Sequence, residues 1–475
     1  MLAALVLCLM AGCSSTQVPM NVPLAVPDGG APPFGRGYQP ADPAFATANR
    51  HLVLLAFSGG GKRSAAFAHG VLRGLAQVPV TTEAGARTLL DEVDLIAGVS
   101  GGSFPAMHYG LNRAKSFETF GDEFLYVDIE AFIWGTFLLP WNWEWLFNPF
   151  FGTNDRMAQV YDRLMFRGAT FADLQRRGPP LIGIAATDIT VGQPFGFTQA
   201  GFDLICSDIA DFPIARAVAA SNGFPVLFSP VTLTNHAAAC GRRQPAWVAG
   251  FQAAPPISRE RALARSAQHY ADPETARYLH LMDGGIADNL AMRSLLNGLI
   301  LAGLQRDFGL FGADYRTTTR VLVISVDGQA AADPGWAQSR TLSGLSQIFS
   351  AVSGTQIDRL NFETLLLADR ATREIEAKAK RERCLLAPVL NGRRCDDFQA
   401  RVVQLSLSDI ADPVKRARLQ AIRTGLTIPR EDADALVRYG EELVRDNAEI
   451  RALFEGADAP APPRSALRTR RQSVQ

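Results

Sequence analysis

Three short segments of the chain hold residues whose types and spacing could do covalent chemistry. Gly98-Val99-Ser100-Gly101-Gly102 is a G-x-S-x-G pattern. Glycines on both sides of a serine permit a sharp, strained turn between a strand and a helix, and such a turn pushes the hydroxyl into the open as a nucleophile. Ser58-Gly59-Gly60-Gly61-Lys62-Arg63 follows an apolar run and precedes residues at helical spacing. A strand that enters a helix through glycines exposes backbone N–H groups at the positive helix end. That is a seat for an anion, either a phosphate or the oxyanion of a tetrahedral intermediate. The GxxxxGK[ST] spacing of a P-loop is absent. Asp283-Gly284-Gly285 places a carboxylate in a glycine turn. A carboxylate held there could take a serine's proton; taken alone it could equally serve its own turn.

A serine nucleophile needs a base. The chain has six histidines, at 51, 69, 108, 236, 269 and 280, and none follows position 280. In an α/β-hydrolase the order is Ser, then Asp or Glu, then His. His236, His269 or His280 could fill that place, but the long histidine-free C-terminal part argues against it. His69 falls on the helix after the glycine loop, where packing or solvent exposure explains it better than catalysis.

The elements that must position these groups are legible as periodicity. Leu52–Phe57 is a continuous apolar run and reads as a buried strand, with Leu181–Thr187 and Val321–Val326 as further strands. Ala65, Ala66, Phe67, Val71, Leu72 and Leu75 recur at helical spacing. Residues 340–383 and 408–455 read as helices. Strand and helix in alternation predict an α/β fold, a central mostly parallel sheet flanked by helices, with a C-terminal helical extension. Phe124–Phe151 holds Trp134, Trp141, Trp143 and Trp145, four of the six tryptophans, interrupted by Pro140 and Pro149. It reads as a lid or acyl-chain wall, or as a core-packing insertion.

Over 475 residues, 47 Lys and Arg balance 47 Asp and Glu. Zero net charge argues against nucleic acid as a partner, since phosphate binding needs a basic surplus. A 47% hydrophobic and 20% charged composition belongs to a globular chain that can bury a core. With Cys8 and Cys13 set aside as N-terminal, Cys206, Cys240, Cys384 and Cys395 remain. Cys384 and Cys395 flank a turn with Pro388, Asn391 and Gly392, which pairs them and leaves Cys206 with Cys240. Free structural thiols are the alternative. No cysteine has metal-ligand spacing.

Taken together, the glycine loop with Arg63, the G-x-S-x-G turn and Asp-Gly-Gly, in that order, resemble the patatin-like phospholipase family over roughly residues 50–330. Ala219–Pro230 (AASNGFPVLFSP) resembles a further block of that family. The resemblance implies a patatin-like α/β/α fold and a Ser–Asp dyad without histidine, with Ser100 as nucleophile and Asp283 as its activator. It implies oxyanion donors at the Gly60 and Gly61 N–H groups, with Gly59 shaping the loop, Gly98 and Gly102 shaping the nucleophile turn, and Arg63 at the basic position after the glycines. Many members have Asp before the three glycines, and here Ser58 stands there. No cofactor and no metal are expected.

Residues 2–12 (LAALVLCLMAG) are uncharged and too short to span a bilayer, and they fit the apolar part of an export signal. Met10-Ala11-Gly12-Cys13 resembles a bacterial lipobox, which implies cleavage before Cys13 and acylation of Cys13; an ordinary cleaved secretory signal is the alternative. The expected organisation is a signal peptide at 1–12, a Pro-rich tether at 13–49, a catalytic domain at 50–330, a mainly helical extension at 331–456 and a disordered basic tail at 457–475. The expected function is a metal-independent serine acyl hydrolase of phospholipids or lysophospholipids, bacterial and of lipoprotein type, held at the cell-envelope membrane by its lipid anchor. The alternatives are an acyltransferase using the same acyl-enzyme, or a catalytically silent lipid- or protein-binding lipoprotein. Oligomeric state is left open.

Overall fold

The computed structural model describes residues 20–47, 51–82, 85–139, 151–225, 227–303, 311, 313–329, 340 and 345–454. The signal, Cys13, Trp141, Trp143, Trp145, both prolines of the aromatic segment and the basic tail lie outside these residues.

The central sheet is built from β1 His51–Phe57, β2 Val93–Val99, β3 Leu181–Asp188, β4 Gln193–Gly196, β5 Val231–Thr234, β6 Tyr278–Met282, β7 Arg320–Asp327 and β8 Gln399–Ser406. Their order is β8-β7-β1-β2-β3-β6-β5, with β4 paired to β3. The five strands from β8 to β3 are parallel. The β3–β6, β6–β5 and β3–β4 pairings are antiparallel. Parallel strands covered on both faces are apolar throughout, and every residue of β1 is buried.

The helices used below are α1 Gly61–Leu75, α2 Ser103–Asn112, α3 Ile129–Leu138, α4 Thr153–Tyr161, α5 Ile214–Ser221, α6 Leu345–Leu386 and α7 Arg430–Asp446. Among the described residues no helix is long and apolar enough to cross a membrane.

The register of the sheet brings the chemistry together. Phe57 at the end of β1 pairs with Gly98 near the end of β2, so the glycine loop and the serine turn leave the same sheet edge side by side. β6 runs back along β3, with Met282 opposite Thr187. That delivers Asp283 toward Ala185, the partner of Val99.

The C-terminal region contains the expected helices and also β8, which extends the sheet beyond β7. In β8 only Ala400, Val403, Leu405 and Ser406 are buried, a pattern too weak to read from sequence. α7 lies on α1 through small residues. A Cβ at Gly70 would stand 2.1 Å from the Val437 carbonyl oxygen, and one at Gly440 2.6 Å from that of Phe67. Residues 20–47 do not hang free as a tether. Val22–Pro23 pairs with Ser207–Asp208. The Tyr38 hydroxyl donates to the Ile182 carbonyl and accepts from its N–H, and Phe45 is fully buried. The segment passes through turns and a short 3-10 helix at Pro43–Phe45, and its aromatic side chains anchor it. Both cysteine pairings are disulfides, Cys206–Cys240 and Cys384–Cys395.

In an open helix Gly→Ala stabilises by up to about 1 kcal/mol. At Gly70 the sign should reverse, with Gly70→Ala costing about 1–3 kcal/mol, because the obstacle is a backbone carbonyl. Gly298→Ala, where nothing stands within 4 Å, should be neutral or stabilising. Thermal melting of the two variants checks the contrast.

Candidate active site

Ser100 follows β2 and opens the turn into α2. Its φ is +49°, a left-handed value that costs a side-chain-bearing residue about 1–3 kcal/mol unless the surroundings enforce it. Here close backbone packing enforces it. A Cβ at Gly98 would lie 2.9 Å from the Gly102 carbonyl oxygen, one at Gly102 2.5 Å from that of Phe57, and one at Gly101 2.1 Å from that of Gly61. The turn is therefore closed on itself, on the end of β1 and on the glycine loop. The Ser100 N–H donates to Ser221 Oγ at 2.9 Å, and Ser221 Oγ donates to the Ala185 carbonyl at 2.7 Å.

The structure brings Ser100 and Asp283 together. Ser100 Oγ donates to Asp283 Oδ2 at 2.9 Å, and Asn222 Oδ1 is a second acceptor at 3.2 Å. Asp283 Oδ1 accepts from the Gly285 N–H at 2.7 Å. Its N–H donates to the Gly223 carbonyl at 3.0 Å, and its carbonyl accepts from Thr187 Oγ1 at 2.8 Å. Gly284 must be glycine, since a Cβ there would meet the Ala185 carbonyl oxygen at 2.3 Å. Burial pushes the Asp283 carboxyl up to about 6, against the Gly285 N–H and the Ser100 hydroxyl, which favour its ionised form.

The glycine loop stands beside the serine, where a Cβ at Gly59 would lie 3.3 Å from Ser100 Cβ. The Gly59 N–H is taken by the Asn289 carbonyl at 2.8 Å. The Gly60 and Gly61 N–H groups have no acceptor among the described residues, so two donors remain for a ligand. Both glycines have positive φ. Ser58, fully buried, accepts from the Gly328 N–H through Oγ at 3.0 Å.

Lys62 and Arg63 are both engaged by acceptors within the protein. Lys62 Nζ donates to the carbonyls of Leu125 and Val127, beside the Phe124 ring. Arg63 donates to Gly328 O at 2.7 Å, to Ile422 O, and to Thr424 Oγ1 at 2.9 Å. Its side chain is buried and its guanidinium pKa is lowered to about 10 by that burial. The Lys62 N–H adds a bond to the Gly425 carbonyl at 2.9 Å. The basic residue after the glycines thus fastens the loop to segment 422–425.

No histidine hydrogen-bonds Ser100 among the described residues. His69 packs against Phe120 and Phe117, and burial lowers its pKa to about 3. His236 contacts the Asn21 carbonyl and His280 contacts Thr232. His269 lies beside the Tyr270 ring. Sequence reasoning missed Asn222, Tyr161, Ser221 and Asn289 as contributors. Two of them, Ser221 and Asn222, stand in the AASNGFP block, whose match to a known pattern was the one available signal. Among the described residues no three His, Cys, Asp or Glu side chains are grouped to hold a metal ion.

A serine at a strained strand-to-helix turn, with a carboxylate on its hydroxyl and free amides beside it, defines the nucleophile-elbow class of α/β proteins. The chain belongs to the patatin-like phospholipase family, whose model matches residues 55–296. No curated protein matches the sequence. Among solved structures, human GIVD cytosolic phospholipase A2 aligns with 12% identity and a TM-score of 0.46, over 86% of this chain and 62% of that one. The same human protein in complex with methyl gamma-linolenyl fluorophosphonate aligns with 13% identity and a TM-score of 0.41, over 87% and 60%. VipD from Legionella pneumophila aligns with 12% identity and a TM-score of 0.27, over 91% and 72%. The chain thus spans less than two thirds of the length of the human enzyme.

Gly101→Ala forces the serine turn and the glycine loop apart at the Gly61 carbonyl. Its kcat on a p-nitrophenyl ester should fall on the order of 10²-fold, the usual cost of misplacing reacting groups by about 1 Å. Steady-state kinetics on the folded variant checks this.

Proposed function

We propose that this chain is a serine acyl hydrolase that cleaves acyl esters of phospholipids or lysophospholipids through an acyl-enzyme. The observation that carries the reading is the 2.9 Å hydrogen bond from Ser100 Oγ to Asp283 Oδ2, made at a residue held in a left-handed backbone conformation. Ser100 Oγ attacks the ester carbonyl carbon while its proton passes to Asp283. The carbonyl oxygen, now an oxyanion, takes the Gly60 and Gly61 N–H groups. The intermediate collapses, the C–O bond of the ester breaks, and the alcohol leaves with the proton from Asp283. Water then attacks the acyl-enzyme by the same route and releases the fatty acid.

α3 supports an interfacial substrate. Phe132, Trp134 and Leu138 are exposed on it and Leu139 just after it, an apolar surface suited to a headgroup boundary. The two disulfides support export to an oxidising compartment. With the apolar leader and Cys13, they favour a lipid-anchored enzyme of the bacterial cell envelope.

Ser100→Ala and Asp283→Asn should each lower kcat on mixed phospholipid micelles by at least on the order of 10³-fold, with chelator present throughout. Activity untouched by Asp283→Asn would sink the dyad. Asp283 must be ionised to accept the proton, and burial raises its pKa. The rate kcat/KM should therefore be full above about pH 6 and fall about tenfold per unit below it. A pH–rate profile on a neutral ester checks the position of that limb.

A further inference from the structure

Ser100 Oγ has one proton and two acceptors within reach, Asp283 Oδ2 at 2.9 Å and Asn222 Oδ1 at 3.2 Å. Beyond Asn222, its Nδ2 donates to the Tyr161 hydroxyl at 3.1 Å. All four side chains are buried, Tyr161 at 1% exposure and Asn222 at 6%. In that arrangement one O–H faces two acceptors, and the phenol proton of Tyr161 has no acceptor among the described residues. The two ends of a carboxamide have the same shape, so its orientation follows from the network around it. Turned by 180°, the Asn222 amide resolves both conflicts. Tyr161 O–H donates to Asn222 Oδ1, Asn222 Nδ2 donates to Ser100 Oγ, and the Ser100 proton is committed to Asp283. The Tyr161 proton, the Ser100 proton and the amide proton between them then each have one acceptor, and the chain runs in one direction toward the carboxylate.

We propose that Asn222 is a further catalytic residue and that Tyr161 is the positioning residue that sets its amide orientation. The inference rests on the reading of Ser100 as the nucleophile. Asn222 exchanges no proton. Its N–H steadies the negative charge that grows on Oγ as the Ser100 proton moves to Asp283 during attack. It does so again in the second half-reaction, when Oγ departs from the acyl carbon and takes its proton back from Asp283. The site is built for this. Asn222 caps α5, which is buried along its whole length. The preceding Ser221 holds the Ser100 N–H, and the following Gly223 carbonyl accepts the Asp283 N–H. One short turn therefore touches both partners of the dyad. Tyr161 is fixed on α4 with its ring edge-on to Phe104 at 4.9 Å.

The test compares wild type, Asn222→Ala, Asn222→Asp and Tyr161→Phe, each with a melting curve. The readouts are the rate at which an alkyl fluorophosphonate modifies Ser100, followed by intact mass and peptide mapping, and kcat and KM on a p-nitrophenyl ester. Asn222→Ala should slow labelling and lower kcat by on the order of 10²-fold, the effect of losing one donor to a developing charge, with KM little changed. Asn222→Asp keeps the shape and the acceptor but removes the donor, and should lose at least as much. Tyr161→Phe keeps the ring and its packing and should lower kcat on the order of tenfold at unchanged KM. Labelling of Asn222→Ala or Asn222→Asp at the wild-type rate would overturn the proposal. If the Asn222 variants do not fold, a Tyr161→Phe protein with wild-type kcat overturns it. Wild type that is not labelled at Ser100 would instead defeat the nucleophile reading itself, and this inference with it.

Discussion

The Gly61 carbonyl oxygen passes through the space that a Cβ on residue 101 would occupy, 2.1 Å from where that atom would be. This contact between two backbones sets the geometry of everything around it. It brings the end of β1 and the end of β2 closer than any side chain would allow. Beside it Ser100 sits at a positive φ, and the Gly60 and Gly61 N–H groups have no acceptor among the described residues. Gly284 imposes the same condition on the third segment, against the Ala185 carbonyl. Three turns thus meet as bare backbone, and Ser100 and Asp283 meet between them in a hydrogen bond.

Packing this dense buries the site, and burial has an electrostatic effect. A carboxylate in a dry site is harder to ionise, and Asp283 is raised to about 6 where an exposed aspartate sits near 3.9. A weaker acid is a stronger base. In the reaction proposed above, this burial therefore brings the carboxylate's basicity nearer to what proton transfer at neutral pH requires. The Gly285 N–H keeps this from going further, since it stabilises the ionised form.

Much of this was legible in the sequence because it is local. The glycine runs at 59–61, 101–102 and 284–285 mark places where backbones approach, and the apolar run 52–57 marks a strand buried on both faces. The paired cysteines followed from a turn signal and from counting. What could not be read is long-range. Asn222 and Tyr161 belong to different helices, and only the fold places them on Ser100. Arg63 looks like a ligand-facing cation after a glycine loop, yet its acceptors are carbonyls and a hydroxyl more than 260 residues away. Strand β8 escaped notice because an edge strand buries one face only. The Pro-rich segment read as a tether because composition describes flexibility and not the two aromatic rings that anchor it.

The clasp between Arg63, Lys62 and segment 422–425 also bears on when the protein can work. The glycine loop is made near the start of synthesis and the residues that hold it near the end. Closing so large a loop costs little more than closing a small one, because the entropy grows only with the logarithm of length. Order, rather than distance, is the restriction. A chain emerging from a ribosome carries its serine, its aspartate and its glycines long before residues 422–425 arrive. Until then Arg63 lacks two of its three partners. The glycine loop is thereby only partly fastened until the C-terminal region has been made.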